Sequence, residues 1–290
     1  MLAGGMASPA PQNDSGIDVI NAPKDVWGDV YHELLRAPWS LTLLAIAGMV
    51  LAIDVLFALA FLLTGGIANA RPGSFADAFF FSVQTLGTIG YGAMHPQSTA
   101  AHMVVTVESI ASLVAVALAT GIVFTKFSIP VAKLEFARGV AIYLQDGVRT
   151  LAIRLANRRG NFIVEAQVRV TFIRAETTKE GIFFYRQYDL PLVRDRSSAL
   201  GRSWLVLHRI TEGSPLESMT PESLRTADVE LNVAVSGIDG TTYQTMHALH
   251  RYMPEDFRFG ERFADMLSPK PDGRIQLDYT RLHDTVRATY

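Results

Sequence analysis

The sequence contains no cysteine, which excludes disulfides and thiolate metal sites and fits a chain whose soluble part sits in a reducing compartment. Net charge is also nearly absent. The 26 Lys and Arg against 28 Asp and Glu leave -2, so bulk electrostatics imply no nucleic-acid partner. No HExxH, Walker or GxSxG pattern occurs, and His247 and His250, three apart on an expected strand, face opposite sides. Nothing converges as an enzyme site would. Residues 1–16 lack the basic and apolar blocks of a signal peptide, and residues 1–20 read as disordered. Basic residues are scarce in one further place: between the two long apolar segments only Arg71 is found.

Those two segments dominate what is present. The 290 residues are 49% hydrophobic and 19% charged, and the apolar share is concentrated before residue 128. The split predicts a membrane part and a soluble part of similar size. Residues 41–63 and 99–127 are long and apolar enough to cross a bilayer. Lys24, Arg36, Lys126, Lys133 and Arg138 flank them on the side opposite Arg71, which places both termini in the cytoplasm. Before the first span, Asn21-Ala22-Pro23 opens a helix that puts Val26, Trp27, Val30, Tyr31, Leu34 and Leu35 on one side, as expected of a helix lying in the membrane interface.

Between the spans, Ser74-Phe75-Ala76-Asp77 reads as a helix start with Ser74 as N-cap and Asp77 at the positive end. The apolar run 78–86 that follows is too short to span and predicts a re-entrant helix. It leads into Thr88-Ile89-Gly90-Tyr91-Gly92, a run of the kind whose backbone carbonyls replace the hydration shell of K+. Carbonyls of one strand point the same way when successive residues alternate handedness, and Gly90 and Gly92 tolerate positive φ. Ile89 and Tyr91 are expected to turn backwards into protein and brace the loop. Thr88, Ile89, Gly90 and Tyr91 would supply the K+ sites; no organic cofactor is implied.

Asp54 and Glu108 are the acids inside the spans. Both lie about nine residues, roughly 13 Å, from the outer helix ends. Two roles stand open: hydrogen bonding to Gln84, Thr85 or Ser109 in support of the filter, or exposure to a watery crevice. On the second span, Ser112, Val116, Thr120 and Phe124 form one stripe, assigned to the cavity. Ala111, Ala115 and Ala119 form its neighbour, assigned to helix contacts. Phe124, near the inner end, is either a dewetting gate or interfacial packing. Arg36, Lys126, Lys133 and Arg138 suit anionic lipid headgroups, although generic inside-positive anchoring explains them equally.

Beyond Pro130 the pattern changes to strands. Residues 140–144 and 148–155 flank Asp146-Gly147 as a hairpin, and Ala166, Val168, Val170 and Phe172 alternate with polar residues. Further strands are expected at 183–188, 204–210, 229–236, 243–250 and 274–279, with a short helix from Thr220-Pro221-Glu222. This spacing predicts an all-β immunoglobulin-like sandwich joined to the α-helical pore domain. The expected boundaries are 21–37 for the interfacial helix, 38–128 for the pore domain of two transmembrane helices plus re-entrant helix, 129–137 for a linker and 138–290 for the sandwich.

The run Phe79-Phe80-Phe81-Ser82-Val83-Gln84-Thr85, together with Arg154-Leu155-Ala156-Asn157, Val164-Glu165-Ala166-Gln167-Val168, Asp189-Leu190-Pro191-Leu192 and Ser214-Pro215-Leu216, resembles the prokaryotic inward-rectifier potassium channels, the KirBac family. The resemblance extends from the interfacial helix to the C-terminal strands. It implies a homotetramer in the bacterial inner membrane with a slide helix at 23–36, a cytoplasmic extension of the pore narrowed near 237–241, narrowing at Phe124, and modulation by phosphoinositide or another anionic lipid. Departures from the family pattern are Gln84 for Glu, Ala93 for Asp, Ser112 for a hinge glycine, neutral Val116 at the position resembling the rectification site, and Ile129 and Val131 where relatives carry Arg. Val116 implies weak block by magnesium or polyamines. Two rivals stand beside a selective potassium channel: a weakly selective cation channel on the same scaffold, and a membrane-anchored ligand sensor.

Overall fold

The computed structural model describes residues 26–129, 132–226 and 228–290. The expected helix start at 21–23, the disorder of residues 1–20 and the break at Pro130 lie outside them. The chain divides into two compact units, Met1–Ser128 and Ile129–Tyr290.

The first unit is helical: α1 (Val26–Arg36), α2 (Trp39–Thr64), α3 (Phe75–Leu86) and α4 (Thr99–Ser128). Gly65, with φ 61°, ends α2 and returns its N–H to Phe61 O. Ser74 caps α3 as its sequence position predicts, accepting from the Asp77 N–H at 3.3 Å. Asp77 is itself gripped by Arg71, whose Nε and terminal nitrogen donate to the two carboxylate oxygens at 2.9 and 2.8 Å. These bonds hold the Asp77 carboxyl well below the usual carboxylate range.

Phe57, Ala58 and Phe61 of α2 pack on Ala78 and Phe81 of α3, with the Phe61 and Phe81 rings 4.9 Å apart and edge-on. A two-residue antiparallel bridge, Ile67–Ala68 with His95–Pro96, closes the loops on either side of α3. Most of the apolar surface of α2 and α4 is uncovered: only 22% and 17% of their most hydrophobic windows are buried. Core helices of a soluble fold would be covered.

The second unit is two five-stranded sheets face to face. In one, the order is 245–252, 229–239, 163–177, 183–189, with 196–200 also paired to 163–177. In the other it is 257–259, 140–145, 148–157, 134–136, with 203–209 also paired to 148–157. Ala166, Val168, Val170 and Phe172 face Ile142, Leu151, Ile153 and Leu155 in one core. In strand 163–177, Val168 and Val170 alternate with the more exposed Arg169 and Thr171, whereas strand 148–157 is buried on both faces, Ala152 packing with Ala137, Ala141 and Phe263 on the side away from this core.

The Asp146-Gly147 turn has both residues at positive φ, 52° and 76°, matching the twist of its flanking strands. The helix expected near 220 spans Pro221–Thr226.

One expectation fails here. Part of the segment read as a linker is a strand, Leu134–Phe136, paired with Asn157 through Leu155; three residues are too few to show a period of two. Arg196–Leu200 and the short strands 257–259, 261–263 and 285–287 have no counterpart among the expected strands, because their pairing is set by distant partners rather than by local pattern, and Leu267–Pro269, which pairs with Ile275–Leu277 in a local hairpin, is too short to show one.

Candidate functional site

The filter-like loop begins where α3 ends. Gly87 returns its N–H to Val83 O, Thr88 to Thr85 O, and both Ile89 and Gly90 to Gln84 O at 2.8 and 3.2 Å. The N–H groups of the loop's first half are thus spent on the helix that precedes it. Backbone handedness alternates: Thr88, Gly90 and Gly92 have φ of 55°, 58° and 80°. The two glycines do this at little cost, whereas Thr88 does it with a branched side chain, a left-handed position that residue type alone does not mark. Such alternation turns successive carbonyls to one side, the arrangement that a row of cation sites requires. On the far side, Asn69 Nδ2 donates to Ala93 O at 2.8 Å, tying the exit of the loop to the α2–α3 connection.

Ile89 and Tyr91 do not turn into their own chain. They are 50% and 77% exposed, so within a single chain the loop is held by its backbone bonds and by Asn69 rather than by these two side chains.

Behind α3 lies the acid pair. Asp54 on α2, Ser82 on α3 and Glu108 on α4 are all essentially buried. Ser82 Oγ stands 3.3 Å from Asp54 Oδ1 and 2.5 Å from Glu108 Oε1, so one hydroxyl joins three helices. Glu108 Oε2 is buried with no hydrogen-bond partner among the described residues.

The pair therefore does not face a watery crevice, and its partner is not one of those expected. Gln84, Thr85 and Ser109 bond back to their own helices, at Phe80 O, Phe81 O and Val105 O. Ser82 was missed because a lone serine in an apolar helix gives no signal until the rotation of that helix about its axis is known.

On α4, Ala115 is buried and Ala111 and Ala119 are partly so, the contact stripe as expected. Val116, Thr120 and Phe124 are exposed in the single chain, Phe124 to 71%. Ser112 departs from its stripe. It is buried, and its hydroxyl donates to Leu86 O at 2.6 Å, taking one of the carbonyls that the end of α3 leaves unpaired. A short side chain beside a helix end bonds to that end rather than facing open space.

The basic residues separate as well. Arg36, Lys133 and Arg138 are exposed. Lys126, expected at lipid headgroups, instead donates to Leu34 O and Leu35 O at 3.1 Å each and to Ala37 O at 2.5 Å. These are carbonyls at the end of α1, where a cation is favoured.

In the β-rich unit, the turn after strand 229–239 is built on Asp239, which accepts from the Thr241 and Thr242 N–H groups at 2.9 and 3.1 Å and pairs with Arg159 at 3.1 Å. His250 stacks on Phe136 with ring centroids 5.0 Å apart and packs edge-on to Tyr252, while His247 is exposed. Burial pushes the His250 imidazole down from its ordinary value, so it packs as a neutral ring.

Comparison with known proteins places this geometry in context. Residues 134–290 match the family described as "Inward rectifier potassium channel C-terminal domain", and residues 41–128 match that described as "Ion channel". The chain is 38% identical to "Inward rectifier potassium channel Kirbac3.1" of Paramagnetospirillum magnetotacticum, across 98% of this chain and 99% of that one. It is 28% identical to "ATP-sensitive inward rectifier potassium channel 12" of Gallus gallus, covering 91% and 67% of the two chains. It is also 28% identical to "ATP-sensitive inward rectifier potassium channel 11" of Homo sapiens, covering 89% and 72%.

Proposed function

The chain belongs to the inward rectifier potassium channel family, whose members are ion channels and not enzymes, and we propose that four copies surround one pore in which residues 88–92 strip water from K+. The observation that carries this reading is the alternating handedness of Thr88, Gly90 and Gly92 at the end of a capped, re-entrant helix. Conduction is passive: carbonyl oxygens stand in for the hydration shell, and ions in neighbouring sites repel one another onward. The carbonyl end of α3 directs partial negative charge toward the cavity and favours a cation waiting there.

In this reading Val116 and Thr120 line the cavity, and the Phe124 rings of four subunits form a constriction that closes by dewetting. Asp54, Ser82 and Glu108 hold α3 at its angle, with Gln84 and Thr85 shaping the turn into the filter. Both termini lie in the cytoplasm of a bacterial inner membrane, since Arg71 is the lone basic residue between the spans. Arg36, Lys133 and Arg138 offer positive charge to anionic lipid, phosphoinositide included, each adding about 1 kcal/mol of attraction.

Barium-sensitive rubidium uptake into liposomes, with and without phosphoinositide, tests the reading. Wild type takes up rubidium well above sodium, and Thr88→Ala lowers that preference about tenfold or more, because Thr88 supplies the innermost oxygens. A variant that retained full selectivity would remove residues 88–92 from the role. One observation favours a weaker selectivity: Gln84 uses its amide on Phe80 O, and no ion pair stands behind the filter where a Glu would form one, among the described residues. Comparable sodium and rubidium fluxes in wild type would establish that alternative.

A further inference from the structure

Lys126 is held in a way that a lipid-facing side chain is not. An α-helix leaves its last carbonyls without intrahelical partners, and an ammonium carries three N–H donors. At the end of α1, three carbonyls, those of Leu34, Leu35 and Ala37, lie 3.1, 3.1 and 2.5 Å from Lys126 Nζ. Donors and acceptors match in number. The Trp39 ring backs the ammonium, its centroid 5.5 Å from Nζ, and Phe127 packs on Trp39 with centroids 4.5 Å apart. A fourth contact comes from the buried Thr42, whose hydroxyl donates to Leu34 O at 3.1 Å.

Lys126 lies two residues beyond Phe124 on α4, so the bonded cluster joins the end of the interfacial helix to the segment that carries the constriction. Resting on the channel reading above, we propose that Lys126 is a positioning residue: an internal latch that makes α1 and the inner end of α4 move together, and not a ligand for lipid headgroups. Displacing Phe124 then requires either that α1 follow or that three charge-assisted bonds open at once.

Lys and Arg separate the two roles. Both carry the charge that attracts an anionic headgroup. Only the compact ammonium, with three donors set as a tripod, fits three carbonyls gathered around one point, whereas the guanidinium is a flat fork. Thr42→Val removes one bond of the cluster and alters no charge.

The test compares wild type, Lys126→Arg, Lys126→Gln and Thr42→Val in neutral liposomes and in liposomes with graded anionic lipid, after each is checked for an intact tetramer. Because the chain has no cysteine, one cysteine placed at the exposed Tyr31 carries a spin label that reports the mobility of α1 independently of flux. The latch predicts a freer label in both Lys126 variants and, to a smaller extent, in Thr42→Val. It also predicts a change in rubidium flux of about tenfold for the Lys126 variants, the shift in equilibrium that loss of a charge-assisted bond produces. That change occurs in neutral membranes too, and the anionic-lipid concentration of half effect does not move.

An unchanged label in Lys126→Gln overturns the proposal. So does a Lys126→Arg variant that behaves as wild type while Lys126→Gln shifts the half-effect concentration, since that pattern belongs to a lipid contact. Absence of rubidium uptake in wild type under every lipid condition defeats the channel reading alone, and the label still decides the latch.

Discussion

Thr88 holds a positive φ of 55° although its side chain is branched, a conformation that costs about 1–2 kcal/mol for a residue with a Cβ. The surrounding bonds sustain it: Thr88, Ile89 and Gly90 all return their N–H groups to the last turn of α3. Glycine marks the left-handed positions in a sequence and threonine does not, which is why two of the three were legible and the third was not.

Ser82 makes the same point about buried polar groups. Its oxygen lies within bonding distance of both Asp54 and Glu108 while its single O–H donates to one of them at a time, so Ser82→Ala removes the group that joins the two acids and costs about 1–3 kcal/mol. The expected outcome is a tetramer that melts at lower temperature and discriminates rubidium from sodium less well; unchanged melting and selectivity would show that the three-helix joint bears no load. Val116 is exposed, apolar and one turn below Ser112, and neither it nor Thr120 nor Phe124 carries a charge to hold a blocking cation, while the nearest acid on that side of α4, Glu108, is buried against Ser82. Val116→Asp is expected to steepen block by magnesium or spermine about tenfold, since a carboxylate in a low-dielectric cavity gains more than 1.4 kcal/mol with a polyvalent cation. Strong block in wild type that the variant leaves unaltered would contradict this.

At the scale of elements, the turn after strand 229–239 gives a prediction whose sign follows from its charge. Asp239 is depressed from its ordinary 3.8 to about 2, first by the Thr241 N–H, then by Thr242, Asn161 and Arg159. A carboxylate lowered on folding stabilises the fold fully above its unfolded value, and that contribution disappears as pH falls through the folded one. Wild type should therefore lose thermal stability between about pH 4 and pH 2 more steeply than Asp239→Asn. The variant melts lower at pH 7, and the gap narrows as acid is added; parallel curves across that range would show the turn to be indifferent to its charge. Elements with a strong repeating pattern or a marked turn were readable in advance: both long helices, the capped α3, the hairpin at Asp146-Gly147 and the alternating strand of Val168 and Val170. Leu134–Phe136 was not, since what makes it a strand is Asn157 and its neighbours across the ladder.

For the whole molecule, the uncovered surface is the informative quantity. Ile89 and Tyr91 in the loop, and Val116 and Phe124 further along α4, are apolar or aromatic, and all are half or more exposed in a single chain. Lipid covers apolar helix faces, but it does not brace a filter. Neighbouring copies would do both, so light scattering on the detergent-solubilised protein, corrected for bound detergent, should give four times the chain mass of 31.8 kDa. A monomer or dimer under conditions that support rubidium uptake would refute that stoichiometry. An assembly of copies would leave little trace in one sequence, because the surfaces it joins look like any membrane-facing helix; the Thr88 to Gly92 run is what points to fourfold use. Within the helical unit, the Ser112 hydroxyl on Leu86 O attaches the floor of the filter to the helix that bears Phe124, about three turns further on. Variants at position 112 should consequently be pleiotropic: a screen scored for opening and one scored for ion preference would recover the same substitutions, and neither trait could be bred apart from the other there.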